Sequence, residues 1–208
     1  AQAAATPDAM AVRFEGEAIE TPRWTLYRGA ADVLRIGLPL VVKPAREGSS
    51  VGISIVHGES ELPAALDKAR ESHGPILLEE YVKGREIQVA VLDGEVLGDV
   101  EIHPAGEFYD YAAKYERSDT TYTVPAALST AERRLCHDLA KRAHRSLGCA
   151  GVTRTDLILT PSGRAVCLEV DTLPGLTARS LVPMIATANG LEFLRLCEKI
   201  LDGASLKN

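Results

Sequence analysis

The stretch Gly151–Ser180, GVTRTDLILTPSGRAVCLEVDTLPGLTARS, constrains this chain more than any other. It reads as two strands joined by a turn at Thr160-Pro161-Ser162-Gly163. On the first strand Thr153, Thr155 and Leu157 alternate with Arg154, Asp156 and Ile158. On the second, Val166, Leu168 and Val170 alternate with Cys167, Glu169 and Asp171. Successive strand side chains point to opposite faces, so Arg154 and Asp156 share one side, as do Glu169 and Asp171. Paired as a hairpin, the strands bring three carboxylates and a guanidinium to one small patch. Carboxylates that close repel one another, so a cation should sit among them, and an all-oxygen donor set favours Mg²⁺ or Mn²⁺. A strand pair with a solvated acidic face fits the same pattern.

The 208-residue chain is 46% hydrophobic and 25% charged, an ordinary globular balance large enough for one sizeable core or two lobes. Its net charge of −6 argues against a broad surface for nucleic acid or anionic membrane. No apolar run approaches the roughly 20 residues that span a bilayer. The opening AQAAATPDAM lacks a charged segment followed by an apolar one, so it does not read as a signal peptide. Cys136, Cys149, Cys167 and Cys197 show no C-x-x-C spacing and sit among apolar residues. That is the usage of reduced thiols in a cytoplasmic protein.

Taken in order, residues 1–20 stay unassigned, their weak helical periodicity interrupted at Gly16. Trp24–Leu26 is extended, and LPLVVKP (Leu38–Pro44) is a buried-type strand ending at a lysine. A loop with Gly48, Ser49, Ser50 and Gly52 feeds a strand at Ile53–His57. Ser60 caps a helix over 61–72, with Pro63 in its first turn. Pro75–Val82 is an apolar strand running into acids. Residues 85–103 form a hairpin about Asp93-Gly94. Pro104–Leu128 is long and irregular, the length of a functional loop. Helix 129–147 opens with the capping box Ser129-x-x-Glu132 and ends at Gly148. Two short helices, 180–188 and 191–201, close the chain. Strands and helices mixed with antiparallel hairpins give an α+β class.

Four further places could carry chemistry. Lys43 precedes a small-residue loop whose backbone N–H groups could fold around phosphate, although such loops also serve as plain turns. Glu79, Glu80 and Val82, followed by Glu86, end an apolar strand where a purine edge and ribose could be read; a solvated strand end fits equally. Tyr109, Asp110, Tyr111, Lys114 and Tyr115 suit a lid over an anionic substrate, or an ordinary Ω-loop. In DTLPGLTARSL, Gly175 can bring a backbone N–H to a reacting oxygen and Ser180 stands at a helix start, where a simple cap would also stand.

These places recur in one chain order, and VVKPAREGSSVG, LLEEYVKGREIQVAVL, GEFYDYAAKY, GVTRTDL and LEVDTLPGLTARSLVP together closely resemble the D-alanine–D-alanine ligases of the ATP-grasp superfamily, from Thr21 to Leu201. The resemblance implies an ATP-grasp fold with ATP between two β-rich lobes, 21–83 and 84–208. It implies that Lys43 contacts phosphate with Ser49, Ser50 and the nearby backbone forming the flap, that Glu79, Glu80 and Val82 read adenine, and that Glu86 holds the ribose. Lys114 would reach the γ-phosphate and Tyr115 would close the lid. Asp156, Glu169 and Asp171 would bind two Mg²⁺ or Mn²⁺, and Arg154 with the Gly175 backbone would stabilise the acyl-phosphate and tetrahedral species. Ser180 and Leu181 would hold the second D-alanine. It further implies a homodimer making D-Ala–D-Ala for peptidoglycan. The alternatives are a nucleotide-binding fragment without turnover and a ligase for other amino or hydroxy acids.

Three departures go with the resemblance. The family's N-terminal domain has no counterpart here, so the expectation is a fragment or a protein lacking it. The family's Asp-Lys pair is matched only by Asp8-Ala9, and the E-x-N metal position carries Asp171.

Overall fold

In the computed structural model of the protein, the structure describes residues 7–48, 50–104, 106, 119–177 and 179–204. Two antiparallel sheets organise them. The smaller has the order β1-β4-β2-β3, from β1 (Trp24–Leu26), β2 (Leu40–Pro44), β3 (Ser54–Val56) and β4 (Ile76–Glu80). The larger has the order β7-β6-β5-β8-β9, from β5 (Arg85–Leu92), β6 (Glu95–His103), β7 (Thr121–Thr123), β8 (Val152–Leu159) and β9 (Ala165–Asp171). The helices are α1 (Pro7–Gly16), α2 (Ala30–Ile36), α3 (Leu62–Arg70), α4 (Thr130–Ser146), α5 (Leu181–Ala188) and α6 (Phe193–Asp202).

In the smaller sheet the period-2 alternation sorts side chains cleanly. Leu40, Val42, Val56, Ile76 and Leu78 form one apolar face, closed by Val33 and Ile36 of α2 and by Ala65, Leu66 and Ala69 of α3. Val41, Lys43, Ile55 and Glu79 lie on the other face, which no helix covers among the described residues. Helix α2 was not anticipated; at seven residues it is too short to show a periodicity. Ser60 does not cap α3. It sits in a 3₁₀ turn, Glu59–Glu61, and Glu61 is the N-cap, with Pro63 in the first turn as expected.

The larger sheet is covered on both faces, but incompletely on one. Ile87, Val89, Val91, Leu157, Leu159, Cys167 and Val170 pack against α4 through Cys136, Leu139, Ala140 and Ala143. Met10 and Phe14 of α1 join that core. Phe14 is fully buried and anchors α1 with about 2–3 kcal/mol of apolar burial, an anchor invisible in the weak periodicity of residues 1–20. On the opposite face Ala90, Leu92, Val100 and Val152 lie under α5 and α6, and Glu86, Gln88, Asp156, Ile158 and Glu169 stay clear of them. Cys136 and Cys167 are core thiols, while Cys149 and Cys197 are half-buried; among the described residues none of the four is in a disulfide. Among the described residues no helix is long and apolar enough to cross a membrane.

The β8–β9 register corrects the strict alternation expected for β9. Asp156 pairs with Glu169, but Leu157 pairs with Cys167, so Leu168 is an extra, bulged residue. The bulge moves Cys167 into the α4 core beside Val170 and leaves Leu168 on the side of Glu169 and Asp171. The β5–β6 hairpin and the Ser129–Glu132 capping box form as read. The Ser129 hydroxyl accepts the Glu132 N–H, and the Glu132 carboxylate accepts the Ser129 N–H at 2.8 Å.

Asp99, fully buried on β6, ties the α4 face together. It accepts from the Ala126 N–H at 2.8 Å, lies 2.7 Å from His137 Nε2 and is ion-paired to Arg133. Burial alone would push its carboxyl up, but the bonds from His137, Arg133 and Ala126 outweigh it and hold it below the usual carboxylate range. A depressed folded-state pKa contributes stability above the unfolded value and loses it as pH falls through the folded one. Asp99→Asn should therefore lose about 2–3 kcal/mol at pH 7, at or below the low end for a buried pair because Arg133 is 31% exposed. The deficit should shrink below about pH 4; urea unfolding of both proteins across pH measures it.

Candidate active-site cleft

The uncovered face of the smaller sheet and the uncovered part of the larger sheet line one cleft, joined at its closed end by residues 81–84. Gly84 lets the connection between the sheets pass close against β8. A Cβ there would fall 2.4 Å from the Leu159 carbonyl oxygen and 2.5 Å from Ile158 Cγ2, so a side chain would force the connection away from β8. Lys43, Ser50, Glu79, Glu80, Val82, Glu86, Asp156 and Glu169 all line this cleft. Eight residues singled out from separate stretches of sequence are brought together.

On the smaller sheet, Lys43 Nζ lies 2.8 Å from Glu79 Oε2, and both side chains are under a tenth exposed. The pair is diagonal across β2 and β4, because Val41 faces Glu79 and Lys43 faces Leu77. One carboxylate occupies part of the ammonium's capacity of three donors, so the lysine is pinned at the cleft wall with donors to spare. Glu80, next along β4, points the other way: its carboxylate takes a 2.8 Å bond from Arg23 Nε.

On the larger sheet, the acids expected from the hairpin stand in register. Asp156 is opposite Glu169, and Arg154 is opposite Asp171. The Arg154 guanidinium holds Asp156 with two bonds, at 2.8 and 3.1 Å, and reaches Asp171 at 3.4 Å. Burial on its own would lower the Arg154 pKa, but Asp156, Asp171 and Glu169 outweigh it and raise it, so the group stays charged. Arg154 thus places one positive charge among the carboxylates. Asp171 also accepts the Leu173 N–H at 3.1 Å. The carboxylate oxygens are of the right kind for Mg²⁺ or Mn²⁺. Among the described residues, however, no three acidic, His or Cys side chains converge as a ready metal-binding group. Asp171 is turned toward Arg154, and a metal would have to displace that contact.

Gly175, Ser180 and Leu181 do not line the cleft and lie on the loop and helix beyond Asp171. Ser180 Oγ accepts the Thr177 N–H at 3.1 Å and lies 2.9 Å from Thr177 Oγ1, so it closes the loop and makes no side-chain cap bond to α5. A Cβ on Gly175 would come within 3.0 Å of that hydroxyl. The Leu181 side chain is buried in the α5 core, leaving its backbone as the part it can offer a ligand. Ser49, Lys114 and Tyr115 lie outside the described residues.

Sequence reasoning missed the apolar walls, Val41, Ile53, Ile55, Ile158 and Leu168, and the amide Gln88. Val41 was within reach as the residue two before Lys43 on the same face. Leu168 was not, because the bulge that exposes it leaves no mark in the alternation.

The chain matches the family described as D-ala D-ala ligase C-terminus over residues 14–202. It is 55% identical over 174 residues to the D-alanine–D-alanine ligase of Anaeromyxobacter sp. (strain K), covering 84% of this chain and 56% of that one. To the D-alanine–D-alanine ligase of Syntrophotalea carbinolica it is 47% identical over 169 residues, covering 81% and 55%. The crystal structure of D-alanine–D-alanine ligase from Bacillus anthracis superposes with a TM-score of 0.85 at 32% identity, over 97% of this chain and 67% of that one. The same enzyme complexed with ATP gives a TM-score of 0.84 at 27% identity, covering 97% and 66%. The chain spans a little over half the length of the curated relatives it matches.

The Lys43–Glu79 pair separates stability from site architecture. Lys43→Ala leaves a nearly buried carboxylate unpaired and should cost about 3 kcal/mol in denaturant unfolding. Replacing both, Lys43→Met with Glu79→Leu, should return stability to within about 1 kcal/mol of the parent.

Proposed function

Because the chain belongs to the D-ala D-ala ligase C-terminus family, we propose that it is the nucleotide-binding and catalytic part of an ATP-dependent ligase that joins two D-alanines. Its two antiparallel sheets with flanking helices make up the C-terminal, ATP-grasp region of those ligases. The observation that carries the proposal is the cleft itself: a pinned lysine on one sheet faces a guanidinium-bridged row of carboxylates on the other. That arrangement suits a polyanion that must be bound at one end and have its transferring group neutralised at the other.

In this reading the base lies at the closed end, against Val82, the backbone around Glu79 and Glu80, and the apolar walls. Glu86 takes the sugar, and Lys43 and Ser50 take phosphate oxygens, with Ser49 and Lys114 in the same role. Mg²⁺ or Mn²⁺, held by Asp156, Glu169 and Asp171, would neutralise phosphate charge. The carboxylate of the first D-alanine attacks the γ-phosphorus, ADP leaves, and an acyl phosphate forms. The amine of the second D-alanine then attacks the acyl carbon, inorganic phosphate departs, and the amine's surplus proton is released. Arg154, freed from Asp156 as the phosphates arrive, steadies the negative charge that builds on the transferring oxygens, helped by the Gly175 N–H. The backbone at Ser180 and Leu181 receives the second carboxylate. Water would hydrolyse the acyl phosphate, which gives Tyr115 and its loop a reason to cover the site. The lobes that close on the nucleotide are 21–83 and 84–208. The setting is cytoplasmic, the enzyme a homodimer, and the dipeptide serves peptidoglycan synthesis; the family resemblance supports these.

With Mg²⁺ and ATP, added D-alanine should release phosphate and yield dipeptide in equal amounts. Asp156→Ala or Glu169→Ala should lower that rate by about 1000-fold or more. Unchanged turnover in those variants would refute the assignment of the acids. Stabilisation by ATP without any dipeptide would make the chain a nucleotide-binding unit that needs the remainder of its longer relatives.

A further inference from the structure

Gln88 is 4% exposed, lines the cleft, and plays no part in the chemistry above. Its Oε1 is buried with no hydrogen-bond partner among the described residues. A buried amide oxygen without a partner has given up water for nothing, a net cost to the free protein. Such a group needs an explanation, and its place in the cleft points to one that arrives with a ligand.

Position and chemistry together select the ligand group. Gln88 pairs in register with Asp156 on one side and Val100 on the other. Glu86 precedes it by two residues on the same face, toward the closed end, where Tyr81 and Val82 line the cleft. Asp156 and Glu169 stand beside it in the same cross-strand row. Gln88 therefore sits between the base end and the carboxylate end. An amide oxygen only accepts hydrogen bonds, and phosphate oxygens at neutral pH also only accept. The part of a nucleotide that lies between base and phosphates and carries donors is the sugar, through its hydroxyls.

We propose that Gln88 Oε1 accepts a hydrogen bond from a ribose hydroxyl of the bound nucleotide, making Gln88 a further nucleotide-binding residue that favours ribonucleotides over deoxyribonucleotides. The inference rests on the ATP reading of the cleft and deepens it. Glu86, one turn of the pleat away on the same strand face, then shares the sugar with Gln88.

The test is calorimetric titration of the 208-residue chain and its Gln88→Met variant with ATP, 2′-deoxy-ATP and 3′-deoxy-ATP in Mg²⁺. Methionine keeps the shape and removes the acceptor. Without nucleotide the variant should melt at the parent temperature or slightly above it, since an unpaired polar atom has gone. With ATP its affinity should fall about tenfold, the size of one ordinary hydrogen bond. With one of the deoxy nucleotides parent and variant should bind alike. Gln88→Leu should repeat the pattern, so that a folding defect peculiar to methionine does not decide the matter. Equal ATP affinity in parent and variants, or the same loss with all three nucleotides, would overturn the role of Gln88. A parent chain that binds none of the three would overturn the ATP reading itself, and the inference with it.

Discussion

The register that pairs β8 with β5 on one side and β9 on the other is the constraint on which both the core and the cleft depend. In that register Asp156 stands between Gln88 and Glu169, and Leu157, one residue on, enters the core under α4. A slip of one residue would turn every side chain of β8 to the wrong face, burying Arg154 and Asp156 and exposing Leu157 and Leu159. The apolar packing of α4 therefore holds the charged row in place, although it touches none of it. The bulge at Leu168 lets β9 serve both demands, sending Cys167 to the core and keeping Leu168 and Glu169 in the cleft.

Charge is distributed by the same logic. On the α4 side, Asp99 is satisfied by His137, Arg133 and a backbone N–H, and Arg85 grips Glu101 with two bonds of 2.6 and 2.7 Å. The bonds of Asp99 join β6 to α4, and the Arg85–Glu101 pair ties β5 to β6. On the cleft side, the Lys43–Glu79 and Arg154–Asp156 pairs are on the whole more buried, yet they border open space. Buried ion pairs are poor sources of net stability, because desolvation consumes most of the attraction. Cationic donors held at a cleft wall by acids suit a site built for an anion, and they connect the packing of the sheets to the chemistry proposed between them.

Much of this was legible in the residues. The β5–β6 hairpin declared itself by alternation around Asp93-Gly94, α4 by its capping box and its stop at Gly148, and the acidic hairpin by the spacing of Arg154, Asp156, Glu169 and Asp171. These features are local, and local steric and hydrogen-bonding preferences are written in neighbouring residues. Helix α1 was not legible, because its stability comes from Met10 and Phe14 reaching residues far along the chain. Helix α2 was too short to carry a pattern, and Ser60 satisfied the composition of a cap without its geometry.

Which side chains alternate, where strands turn, and that acids and a guanidinium share one strand face were all written in neighbouring residues. Motif order tied those residues to a ligase family. Only the tertiary structure decided that Lys43 would lie 2.8 Å from Glu79, that the Glu80 carboxylate would turn away to Arg23, and that Arg154 would bridge Asp156 and Asp171. It alone placed Gln88, whose amide oxygen has no hydrogen-bond partner among the described residues, in the same row as the acids. The physical reason is the range of the forces. Backbone preferences act over a few residues, whereas desolvation and ion pairing depend on what a distant strand brings alongside.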